Sequence, residues 1–115
     1  MASVPYKFTS AASTNLQQVR QGTGGNVKGY VVANVATATY IKLFWFTPTA
    51  AAPQPVVGTT LPNLTIGVAA SANVPQSFPD GITGNGQLWV CVTGAAADSD
   101  SSNAAAGAVI TLLVE

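Results

Sequence analysis

Thr39-Tyr40-Ile41-Lys42-Leu43-Phe44-Trp45-Phe46 is the stretch that decides the fold. It combines β-branched, aromatic and aliphatic side chains, stops at Thr47-Pro48, and therefore predicts a strand. Alternation along a strand puts Ile41, Leu43 and Trp45 on one side and Tyr40, Lys42, Phe44 and Phe46 on the other. Neither side is mainly polar. The expectation is a central strand whose second face is also covered, by another layer of this chain or by a neighbouring subunit.

The same double-faced character recurs at residues 87–93, where Leu88, Val90 and Val92 face one way and Trp89, Cys91 and Thr93 the other. This run is the natural partner of 39–46. Residues 108–114 predict a final strand, with Ile110, Leu112 and Val114 in one phase and Val109, Thr111 and Leu113 in the other. Leu64, Ile66 and Val68 alternate with Thr65 and Gly67 in a half-buried strand. In 74–82, Pro75 and Pro79 predict an edge segment pinned by Phe78, with turn chemistry at Pro79-Asp80-Gly81.

Residues 27–35 also read as a strand, with Val27, Val31, Ala33 and Val35 in one phase and Gly29 marking a bulge or a close approach. The short connector Ala36-Thr37-Ala38 predicts a hairpin between this strand and 39–46. Residues 14–20 suggest an irregular strand, and Gln21-Gly22-Thr23-Gly24-Gly25-Asn26 a turn or loop. Residues 1–13 form an N-terminal arm or edge strand carrying Tyr6 and Phe8, and 14–115 form one domain. Pro48, Pro53 and Pro55 make 47–60 a long surface connection, and 94–107 is a second long loop of small and polar residues.

Seven or eight short strands with no convincing helix predict an all-β, antiparallel β-sandwich, jelly-roll-like first and immunoglobulin-like or a small barrel second.

Only four basic and four acidic side chains are present among 115 residues, a charged fraction of 7 % against roughly 25 % for an average soluble domain. So little charge suggests that much surface is covered by copies of the chain or by a larger assembly. The scattered Lys7, Arg20, Lys28 and Lys42 make no phosphate-binding patch, so nucleic acid is not an expected partner. No apolar run approaches the length that spans a bilayer, and 1–5 lack the pattern of a secretory signal.

Chemistry is thinly represented. There is no histidine, and Cys91 lies within an apolar run, where a buried thiol acts as a small hydrophobe. Asp98-Ser99-Asp100-Ser101-Ser102-Asn103 offers hard oxygen ligands, but a calcium loop also needs a mid-loop glycine and a downstream glutamate, so solvated turn residues are the expectation. No catalytic residue, cofactor, metal or small-molecule substrate is expected. The aromatic residues Tyr6, Phe8, Tyr30, Tyr40, Phe44, Trp45, Phe46 and Trp89 are the candidate interface anchors, because rings bury large areas and Tyr and Trp keep a polar handle.

Residues 40–46, the connection Val57-Gly58-Thr59-Thr60-Leu61-Pro62 into Leu64-Thr65-Ile66, Ser77-Phe78-Pro79-Asp80-Gly81-Ile82, 88–100 and 108–114 together resemble small virion proteins of tailed bacteriophages. The resemblance covers residues 27–114 and implies a structural role in the virion, assembled in the host cytoplasm. Capsid decoration is the expected form, with the chain binding the major capsid protein on the outer head shell as a homo-oligomer such as a trimer. The alternatives are a tail, neck or fibre-associated adaptor and a receptor- or carbohydrate-binding module. Trp45-Phe46 departs from the more polar strand end of such proteins and implies an additional aromatic contact with another subunit. Underlying all of this is the expectation that one small sandwich cannot hide so much apolar strand surface alone.

Overall fold

A computed structural model describes residues 3–11 and 13–115. Met1, Ala2 and Ala12, which belong to the expected arm, lie outside the described residues. The strands are β1 (Val4–Thr9), β2 (Gln17–Thr23), β3 (Asn26–Ala33), β4 (Thr39–Phe46), β5 (Leu64–Val68), β6 (Val74–Thr83), β7 (Gln87–Thr93) and β8 (Val109–Val114).

They form two four-stranded antiparallel sheets, a first in the order β1-β8-β3-β6 and a second in the order β2-β7-β4-β5. The pairing is nested: β4 lies against β5, β3 against β6, β2 against β7 and β1 against β8. A long hairpin folded over itself gives this order, which is that of an eight-stranded jelly roll.

The nesting overturns the expected hairpin between residues 27–35 and 39–46. Those strands are β3 and β4, and they lie in different sheets. The connector carries no Asn-Gly or Asp-Gly turn to reverse it in plane. Asn34 adopts a positive φ of 61°, and the carbonyl of Val35 accepts from the Ser71 amide, so the chain passes from one layer to the other.

The core lies between the sheets. Val27, Val32, Ile110 and Leu112 come from the first and Ile41, Leu43, Leu88, Val90 and Val92 from the second, all fully buried. Each such side chain contributes about 1.5–3 kcal/mol relative to exposure. Trp45 joins this core and donates its indole N–H to the Gly25 carbonyl at 2.7 Å. Tyr30 stacks at a tilt on Phe78, the expected anchor of edge strand β6, with centroids 5.9 Å apart.

Gly29 marks a register shift against both β6 and β8, and a Cβ there would collide with the Gln76 carbonyl. Gly29 is therefore both a bulge and a close approach. The extra residue reverses the strand's phase, as a one-residue slip must. Val27 points into the core before the bulge, and Tyr30 and Val32 do so after it, while Val31 is turned outward. The uniform phase expected for Val27, Val31 and Ala33 is corrected accordingly.

Candidate functional site

The two outer faces of the sandwich are finished differently, and that difference defines the candidate site. On the outer face of the second sheet, Lys42, Phe44, Cys91 and Thr93 are buried, although none points into the inter-sheet core. Two loops, 47–63 and 94–107, meet on this side of the sheet. The Lys42 ammonium donates to the carbonyls of Ala97 at 2.6 Å and Asp100 at 3.3 Å, which pins the second loop to the sheet. Gly58, with φ of 89°, brings the first loop against Ser99 and Ser101 of the second, close enough that a Cβ would touch both. Asn63 closes the first loop by donating its amide to the Leu43 carbonyl and accepting from the Trp45 amide on its side-chain oxygen.

The second layer expected over residues 39–46 is therefore part of the same chain. Phe44 is 1 % exposed in the single molecule, so its cover comes from the chain itself, whereas Phe46 and Trp89 on the same face stay half-buried. Residues 47–63 carry four prolines with Val56, Val57 and Leu61, and 94–107 is mainly alanine and serine; neither composition says which sheet face the loop will cover. The visible signal was Lys42, a cation in an otherwise apolar strand, which needs acceptors from somewhere.

Electrostatics within this cover are local. Burial pushes the Cys91 thiol up to about 11, and the neighbouring Lys42 ammonium offsets only part of that. The Asp100 carboxylate turns into its own loop, where Oδ2 accepts from the Ser102 hydroxyl at 2.7 Å and from the amides of Ala95 and Ser102. The Ser102 hydroxyl first, then those amides and the Lys42 charge, hold Asp100 below the ordinary carboxylate range. Among the described residues no group of three His, Cys, Asp or Glu is placed to hold a metal ion. Asp98 stays exposed, and Asp80 lies on β6 in the other sheet.

Of the eight candidate anchors, Phe8, Tyr30, Phe44 and Trp45 are buried within the chain itself. Trp45 thus spends its ring on the molecule's own core. Tyr6, Tyr40, Phe46 and Trp89 are half-buried and retain area to offer. Tyr6 packs against Phe8 and donates its hydroxyl to Gln17 across the open edge between β1 and β2. That edge holds a cleft of about 360 Å³, lined by Val4, Tyr6, Val19, Arg20 and Val114 among others.

The outer face of the first sheet has no such cover. Strand register aligns three cross-strand rows: Pro5, Leu113, Gly29 and Ser77; Lys7, Thr111, Val31 and Pro75; and Thr9, Val109 and Ala33. Lys7 is the one charged side chain in these rows. Pro5, Lys7, Thr9, Pro75 and Ser77 are exposed, Val31 is 44 % exposed, and Val109, Thr111 and Leu113 are half-buried. A solvated sheet face normally alternates to polar residues. This one mixes Val31, Val109, Leu113, Pro5 and Pro75 with Lys7, Ser77, Thr9 and Thr111. The residues were readable in the sequence as the second phase of 108–114, but the reversal at Gly29 that adds Val31 was not.

Comparison of the chain with family models, with curated proteins and with solved structures gave no match.

Proposed function

We propose that this chain is a non-enzymatic virion structural protein of a tailed bacteriophage, a decoration protein that docks on the outer head shell. The observation that carries the reading is the outer face of the first sheet, with Lys7 its one charge in the paired rows, left open in a molecule that covers the equivalent face of its second sheet. A sheet face with a single charge that leaves Val31, Pro5 and Pro75 exposed is a fit surface for a partner. The molecule is a slab with extents of 37 × 34 × 18 Å, so a broad face is the surface best able to lie along a shell. Jelly rolls serve both capsid proteins and lectins, and the resemblance of residues 27–114 to phage virion proteins points to the former. A protein that binds the assembled shell and not its dissociated subunits stabilises the shell by an amount that rises with its free concentration relative to Kd.

The lectin alternative requires a ring on which a sugar can stack. None of the nine aromatic side chains is fully exposed, and Trp45 is committed to the core. That disfavours a carbohydrate platform.

Cosedimentation of the purified chain with shells that lack it tests the proposal. The wild type is expected to bind and to raise the shell's melting temperature, whereas Val31→Asp and Thr111→Lys, which charge the open face, abolish binding while the chain remains folded by circular dichroism. Absence of wild-type binding, or undiminished binding by both variants, rejects it.

A further inference from the structure

The four sheet edges are not equally protected. An edge strand exposes unpaired amides and carbonyls, and proteins blunt that hazard with proline, charge or bulges. β1 carries Pro5 and Lys7. β2 carries Arg20 and two register shifts. β6 carries Pro75, Pro79, Asp80 and a register shift. β5, Leu64-Thr65-Ile66-Gly67-Val68, has no proline, no charge and an unbroken register against β4.

Which groups β5 presents follows from alternation. The Trp45 amide donates to Asn63, and the Leu43 carbonyl accepts from the Asn63 amide, so the odd-numbered residues of β4 point their backbone groups toward β5. Leu43, Ile41 and Thr39 are then the residues that exchange ladder bonds with Leu64, Ile66 and Val68. The amides and carbonyls of Thr65 and Gly67 point away, at the free edge.

We propose that β5 pairs antiparallel with β5 of a second copy of this chain, about a two-fold axis at Ile66. In that register Thr65 of each copy faces Gly67 of the other. All four outward groups of each strand segment, two amides and two carbonyls, find partners. The strand is therefore complementary to itself, which a two-fold contact requires. The pairing joins two second sheets into one continuous sheet and keeps both Ile66 side chains on the core side. Leu61, three residues ahead of β5, is 72 % exposed. No charge on β5 opposes the approach of an identical strand. The pairing does not depend on the virion reading, since it uses a sheet edge and not the open face.

Sedimentation equilibrium of the full chain, combined with residue-resolved amide exchange at low and high concentration, tests this. The interface is small, so association is expected between about 10 µM and 1 mM, the range of weak contacts. The expected result is a rise toward twice the monomer mass, with the Thr65 and Gly67 amides slowing at least about tenfold as concentration rises. Thr65→Pro removes an outward donor that the fold itself does not use, and should leave a folded chain that stays monomeric. If that variant does not fold, the exchange measurement on the wild type decides alone. A wild type that stays monomeric to about 1 mM, or that associates without slowing these two amides, overturns the proposal.

Discussion

Lys42 and Cys91 stand opposite one another on β4 and β7, both sealed from solvent beneath the molecule's own loops, a cation beside a thiol that burial keeps protonated. The pair sits where an outer sheet face would normally meet water. Its environment exists only while residues 94–107 remain docked.

Lys42 should consequently be the slowest lysine to react with an acylating reagent. Lys7 is exposed, and Lys28 makes one surface bond to the Pro79 carbonyl, so both should label first in peptide mapping. Lys42→Met removes the donor to two loop carbonyls and is expected to destabilise the fold by about 1–3 kcal/mol in denaturant titration. It should also make the 94–107 loop cleavable by protease.

Cys91 should resist thiol reagents in the native state and react on unfolding. Its folded pKa lies above the ordinary thiol value, so the unfolded chain releases the proton first as pH rises. The contribution to stability is full below pH 9 and declines between there and about 11. Cys91→Ser, which does not ionise in that range, should flatten this alkaline loss in melts recorded from pH 8 to 11.

For Asp100 the sign is opposite. A carboxylate held below its ordinary range supports the fold above that range and loses its contribution as pH falls through the lowered value. The Asp100→Asn variant should show faster amide exchange at Ala95 and Ser102 at neutral pH, and little further change on acidification, whereas the wild type loosens there in acid.

The two tryptophans should respond differently to the same change. Trp45→Phe forfeits a buried bond to the Gly25 carbonyl and should cost about 1–3 kcal/mol. The Trp89 indole N–H is buried without a partner, so Trp89→Phe should change stability by less than about 1 kcal/mol. Equal losses in the two variants would contradict these contacts.

Strand positions were legible because alternation and turn residues are local properties. The β4–β7 partnership could be read from two strands that are apolar on both faces, and edge strand β6 from its prolines. The connection between β3 and β4 was misread, since adjacency in sequence favours a hairpin and only the nested pairing of the whole chain decides otherwise. The phase of β3 depended on whether Gly29 inserts a bulge, which alternation alone does not fix. The shielding of Phe44 was illegible for a further reason: alternation along a strand does not say which loop will fold over its outer face.

The nested order also governs how the chain must come together in time. β4 and β5 can meet across one loop, but β1 has no neighbour in its sheet until β8 arrives from the opposite end of the sequence. During synthesis Tyr6 and Phe8 would therefore leave the ribosome long before the strand that receives them, and closure of the first sheet becomes a late, entropically slow event. Conditions that prolong this interval should trap sticky intermediates while leaving the finished molecule's stability unchanged.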